Sequence, residues 1–261
     1  MSSPYFGKEN RIPSPADAAA LSRVRVRSGR ANPAAFIAMN YLAHGRCHVD
    51  DPYFLAGTAI PDWLNVVDRR VRVRSKHARP LADHHDPNVA ALARGVLQHH
   101  HDDAWFHQTR AFAELSMQFT VGVRDALPPD HGMRAFFLGH ILVEILLDAQ
   151  LAADQPQVLH EYYAAVAEVD PAVVAGVVGR MSGRGADGLV EWIPRFVAER
   201  FLWDYADDEK LLTRLNQVMA RVKLPKLPPE LIRFFPSARQ SVAQRASELL
   251  GRQEFNGGDS P

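Results

Sequence analysis

The stretch FFLGHILVEILLDAQL, residues 136–151, constrains the fold more than any other part of this chain. It is almost continuously apolar, and a helix that is hydrophobic all round must be surrounded by other elements. Three ionisable residues interrupt it, His140, Glu144 and Asp148, at i, i+4 and i+8. That spacing puts all three on one stripe of the helix. Burying ionisable groups is unfavourable unless they pair or bind a cation, so three on one stripe need a shared partner. The partner is either a cation or the arginine and backbone groups of a neighbouring helix. Gly139, on the same segment, lets a second helix approach closely.

The rest of the chain supplies neighbours of the same kind. Asn32-Pro33, Asp51-Pro52, Asp86-Pro87 and Asp170-Pro171 each place a capping side chain before a proline suited to the first helical position. Apolar residues recurring every three to four positions predict helices at 33–44, 52–60, 87–108, 109–126, 131–153, 157–168, 171–181, 187–204, 207–222 and 237–251. The exception is RVRVRS, which occurs at Arg23–Ser28 and again at Arg70–Ser75. The two copies pair as a small ribbon or repeat by chance. The expected architecture is all-α: a single helical domain of about ten helices over residues 39–252. Residues 1–38, rich in Ser, Pro, Ala and Arg, read as an appended segment, and residues 253–261 as a disordered tail. The stretch from Asp68 to Asp86 reads as a basic, proline-containing loop.

Thirty Lys and Arg residues balance thirty Asp and Glu, so the chain lacks the cationic footprint of a nucleic-acid binder. Cys47 is the single cysteine, which rules out an internal disulfide framework and fits a reducing compartment. No run of 18 apolar residues occurs and the first residues lack the pattern of a secretory signal; no transmembrane segment is expected, and the expected location is the cytoplasm.

Eleven of the twelve histidines fall between His44 and His140. Histidine is the commonest metal ligand and acid–base group near neutral pH. His77, His84 and His85, beside Pro80 and Pro87, read as part of an exposed loop. In GVLQHHHDDAWFH, residues 95–107, His99, Asp103 and His107 share a helical face at i, i+4 and i+8. Eight residues rise about 12 Å, so one ion cannot hold both His99 and His107, whereas adjacent members can share one. On this reading His100 and His101 point elsewhere and Asp102 faces solvent. MNYLAH ends at His44, and PYFLAGTAIPDWL carries Asp62, with Gly57 and Pro61 bracketing a tight helix end from which Asp62 emerges.

MNYLAH, the Gly57 to Asp62 element, the Gly95, His99, Asp103 spacing and the acids at i, i+4 in an apolar helix together resemble the acyl carrier protein phosphodiesterase family. The resemblance covers roughly residues 39–152 and supports Met39 as an ancestral first residue. It implies an HD-like helical bundle with a metal site between helices. The implied activity is release of 4′-phosphopantetheine from holo acyl carrier protein with a divalent cation, usually Mn²⁺. His44, Asp62, His99, Asp103, Glu144 and Asp148 match the family's motif positions. The chain departs from it at His100, where arginine is usual, at His107, where aspartate is usual, and at Ala149, where histidine is usual; His140 compensates one turn earlier. PYFLAGTAIPDW and the histidine-rich helix also resemble zinc-dependent phospholipase C-like proteins, another all-α family that cleaves phosphodiesters.

The resulting expectation is metal-assisted phosphodiester hydrolysis. His44, Asp62, His99, Asp103, His140 and Asp148 ligate one or two divalent ions (Mn, Zn or Fe), with Glu144 and His107 as catalytic proton carriers or further ligands. Arg69, Arg70, Arg72, Arg74 and Lys76 grip an acidic partner such as acyl carrier protein, or a phospholipid head group, or form a solvated loop; the expected partner of the protein is acyl carrier protein or a phosphodiester small molecule. The rival readings are a helical interaction protein with a structural ion or polar core, and an HD-type phosphomonoesterase. The second needs an adjacent His-Asp pair, and His101-Asp102 lies off the shared face.

Overall fold

In the computed structural model, which describes residues 40–127 and 133–251, side-chain caps set where the helices begin. Asp51 accepts the Phe54 amide at 3.0 Å and opens α2, Pro52–Val67, which follows the short α1, Tyr41–Gly45. Asp86 accepts the Asn88 amide at 2.9 Å ahead of α4, Pro87–Phe106; the four-residue α3, Ser75–Ala78, precedes it. Thr109 caps α5, Arg110–Ala126, and Asp170 caps α8, Pro171–Ser182. Between them lie α6, Met133–Asp154, and α7, Pro156–Ala167. The chain continues through α9, Gly188–Glu199, α10, Asp208–Arg221, and α11, Phe235–Leu250, with 3₁₀ turns at Arg79–Leu81, Phe201–Ala206 and Pro229–Phe234. No strand occurs among the described residues, and the all-α expectation holds.

α6 is the axis. Leu138, Ile141, Leu142, Val143, Ile145 and Leu147 are fully buried, because α5, α11, α1, α7 and the 201–206 turn pack around it. By length and composition Arg134–Asp154 is apolar enough to cross a bilayer, but 83% of that window is buried against the rest of the protein. Such burial is what a helix without a polar face requires when its neighbours are protein.

Glycine decides how closely the site-bearing helices approach. A Cβ on Gly57 would lie 2.5 Å from the Leu92 carbonyl oxygen, and one on Gly95 would fall on the Phe54 carbonyl, so α2 and α4 cross with their backbones in contact. At Gly139 a Cβ would meet Ser116 and Thr120 of α5, the close approach expected there. Gly95→Ala is expected to destabilise the protein by roughly 1–3 kcal/mol, because backbone cannot move aside. That exceeds the gain of about 1 kcal/mol alanine brings to a helix. The midpoint of urea unfolding measures it; an unchanged midpoint means the two helices part freely.

Several boundaries differ from the sequence reading. α2 does not end near Pro61 but runs through it to Val67, so Asp62 lies inside a helix rather than emerging from a turn. Burial of Ile60, Trp63 and Leu64 on one side outweighs the hydrogen bond Pro61 cannot donate. The helix expected at 187–204 breaks at Arg200, which adopts φ 46° and hands over to the 3₁₀ turn. Its guanidinium lies 3.0 Å from His160 and over the Tyr163 ring. Only the end of the helix expected at 33–44 is described, from Tyr41. The second RVRVRS copy forms no strand; Val71 and Val73 instead insert into the core and tie the 68–86 segment down. The first copy, the appended segment at 1–38, Met39 and the tail at 253–261 lie outside the described residues.

Candidate metal centre

Two polar groupings form where α1, α2, α4 and α6 meet. The first is built on His107, at the C-terminal end of α4. Its Nε2 lies 3.0 Å from Glu144 Oε1, and its Nδ1 lies 3.2 Å from Asp103 Oδ1 in an ion-pair contact without hydrogen-bond alignment. From α6, His140 Nε2 lies 3.1 Å from the same Glu144 oxygen. The His107 and His140 rings stack with centroids 4.8 Å apart, and Phe112 of α5 presents its ring edge-on to both. One ligand-type atom from each of His107, His140 and Glu144 lies within 4.8 Å of the other two. Glu144 is wholly buried, whereas His107 and His140 remain partly open to solvent.

The charges in this grouping hold one another. Burial disfavours the His107 imidazolium, but Asp103 and Glu144 on either side outweigh it and raise its pKa to about 10. Burial likewise pushes Glu144 up, and the hydrogen bonds to His107 and His140 bring it below the usual carboxylate value. Asp103, also desolvated, is brought down to about 2 by His107, with His99 and His44 helping.

The second grouping is built on His44 and His99, whose ring centroids are 4.5 Å apart. His99 Nδ1 is 2.8 Å from the Thr58 carbonyl of α2, so this nitrogen carries the proton and donates it, leaving Nε2 with its lone pair. Burial, then the neighbouring His44, hold the His99 pKa well below the ordinary value. His44 Nδ1 lies 3.4 Å from Asp102 Oδ2, and its Nε2 is buried with no hydrogen-bond partner among the described residues. A backbone carbonyl or a carboxylate behind an imidazole is the usual way the opposite nitrogen is oriented for a metal.

Asp62 stands apart. It is buried, and neither carboxylate oxygen has a hydrogen-bond partner among the described residues. Burial raises its pKa well above the ordinary value, and the negative charges of Glu144, Asp103 and Asp148 raise it further, against a smaller opposing effect of His107. Asp148 has a different environment. Its oxygens accept the Leu42 amide at 3.0 Å and the Ala43 amide at 2.8 Å, while burial still raises its pKa to about 7. Where the sequence suggests a ligand, the structure has a carboxylate that pins the first turn of α1 and thereby positions His44.

Histidine and acid rows from distant parts of the chain therefore do converge. His100 and His101 leave the shared face as expected, with His100 Nε2 2.8 Å from the Val73 carbonyl. Asp102 does not face solvent: it is buried, accepts from Gln98 at 2.7 Å and backs His44. The basic run is not one patch. Arg70 pairs with Asp68 at 2.8 Å and Arg72 bonds Asn65 at 3.1 Å, Arg74 and Lys76 are exposed, and Arg69 lines a cleft beside the C-terminal part of α2. The sequence reading assigned Asp102 to solvent and did not single out Thr58, although both sit one helical turn from a flagged residue. No family model, curated protein or solved structure matches this chain in comparison with known proteins.

Proposed function

We propose that the chain is a divalent-metal-dependent phosphodiester hydrolase, with its metal held between helices in an HD-like manner. The observation that carries this reading is the set of interior ligand-type atoms without partners, Asp62 Oδ1 and Oδ2 and His44 Nε2, beside the His107, His140 and Glu144 triplet. Unpaired buried groups of this kind are rare in proteins unless something else satisfies them. An acid with several carboxylate neighbours is served best by a cation. His44, Asp62, His99 and Asp103, with His107, His140 and Glu144, would hold one or two ions. A bound Mn, Zn or Fe ion activates water near neutral pH and offsets charge on phosphoryl oxygens. His107, partly open to solvent, and the buried Glu144 behind it would serve as further ligands or as proton carriers, Asp148 keeps α1 in place, and Asp102 and the Thr58 carbonyl fix the two imidazoles. The resemblance to acyl carrier protein phosphodiesterases supports 4′-phosphopantetheine esters of that protein, or a related small phosphodiester, as substrate.

A second reading, a polar core without catalysis, draws on the pairing already present: Glu144 is contacted by two histidines and Asp148 accepts from two amides. Purification without chelator, elemental analysis, and turnover of bis-p-nitrophenyl phosphate, holo acyl carrier protein and phosphatidylcholine separate the two. The expected result is about one to two ions per chain, with hydrolysis that His99→Ala abolishes in a folded protein. Metal-free, inactive protein would leave only the polar core.

A further inference from the structure

A cleft of about 690 Å³ opens between the C-terminal part of α2, α9, the 201–206 turn and α10. Its volume lies in the range of small-molecule sites. Four arginines border it, and their pairing is uneven. Arg195 and Arg214 share Glu199, and Arg214 also holds Asp204 at 2.6 Å, so both are neutralised. Arg69 and Arg221 make no hydrogen bond or ion pair among the described residues. Beside these two guanidinium groups the cleft carries three acids: Glu199, already shared by Arg195 and Arg214, Glu191, which is exposed, and Asp62, which is buried. Desolvation chiefly lowers the Arg221 pKa; Tyr41 and Tyr205 oppose it, and the nearby positive charges of Arg69 and Arg195 add to it.

The walls supply the rest of a binding site. Trp192 Nε1 and Tyr205 Oη are buried without a hydrogen-bond partner, although both residues line the cleft. Tyr205 is wholly buried, and its hydroxyl is a donor that no group among the described residues uses. Phe201 and Trp192 add aromatic surface beside it. Unused donors, paired forks of guanidinium and aromatic walls are together complementary to a tetrahedral oxyanion attached to an apolar or planar body.

We propose that this cleft is a binding site for a small organic phosphate, its phosphate held by Arg69 and Arg221 and its apolar portion lying on Trp192 and Phe201. The site stands without a metal ion, because none of its anion-binding groups belongs to the histidine rows. Asp62, in its floor, belongs to both the cleft and the candidate metal centre, so a ligand seated here reaches the edge of that centre.

The test is isothermal titration of the full chain in excess chelator with phenyl phosphate, inorganic phosphate and benzoate. Phenyl phosphate is expected to bind, at least about tenfold more tightly than either of the other two. Arg69→Ala and Arg221→Ala, both exposed and unpaired in the folded chain, are each expected to weaken it by about tenfold or more. Arg110→Ala, on a surface helix remote from the cleft, is expected to leave it unchanged. Absence of phenyl phosphate binding, benzoate binding as tightly, or indifference to both cleft arginines overturns the proposal. The chelator keeps these outcomes separate from the metal reading, which stands or falls on metal content and turnover.

Discussion

Replacing Glu144 with glutamine is expected to give the largest loss of any single substitution at the candidate centre. Glu144 is wholly buried and lies within 3.1 Å of His107 and His140, so it is the shared anion of the triplet. Glutamine keeps the shape and an acceptor oxygen but removes the charge. Breaking a buried ion pair in this way typically destabilises by about 3–5 kcal/mol, because the partner charge is left without compensation. The pH dependence identifies the cause. His107 carries a folded pKa of about 10 against an ordinary 6.5, so its stabilising contribution is complete below about pH 6.5 and is lost as pH rises through 10. The difference in unfolding free energy between the wild type and Glu144→Gln should therefore be largest near pH 6.5 and narrow toward pH 10. A difference that does not change with pH means His107 is not held as an imidazolium. Metal uptake should fall roughly 100-fold or more in the same variant. In the wild type it should strengthen with rising pH, since an ion must displace the His107 proton.

Asp62→Asn is expected to act in the opposite direction on stability. The native carboxyl is buried with both oxygens unpartnered, among three other acids. An acid with a raised folded pKa keeps its proton while the unfolded chain ionises, so stability falls as pH rises from about 4 toward the folded value. Asparagine cannot ionise and removes that decline. In chelator at pH 8, Asp62→Asn should be more stable than the wild type by about 1–3 kcal/mol, the usual penalty of an unsatisfied buried polar group. Residual pH sensitivity in the variant should come from Asp148, up to its folded value of about 7, and from His107 above that. With Mn²⁺ or Zn²⁺ added the order should reverse, because the ion stabilises only the chain that binds it. Urea unfolding with and without metal reads both effects. A metal-free wild type more stable than Asp62→Asn would falsify the view that Asp62 lacks a partner. A native residue that is a liability until its ligand arrives is the usual mark of a functional position.

Much of the fold follows from short-range signals. The cap-and-proline pairs at Asp51, Asp86 and Asp170 start helices where expected, since capping depends on residues two or three positions away. The missed boundaries have non-local causes. Pro61 sits within α2 because its neighbours are buried against α4, and Arg200 breaks its helix because His160 and Tyr163, 40 and 37 positions earlier in the chain, hold its side chain.

The candidate site divides along the same line. Helical spacing alone placed His99, Asp103 and His107 on one stripe and His140, Glu144 and Asp148 on another, because the α-helical period is a local property. Which of these groups are satisfied by the protein was decided only by the tertiary packing. Asp148 meets the amides of α1, Glu144 meets two imidazoles, and Asp62 meets neither, although all three are acids on buried helices. The cleft bordered by Arg69 and Arg221 was invisible in the sequence for the same reason. Its two cations are about 150 positions apart along the chain, and the packing of α9 on α2, where Gly188 lies against Val67, with α10 forming another wall of the cleft, is what brings them to one place.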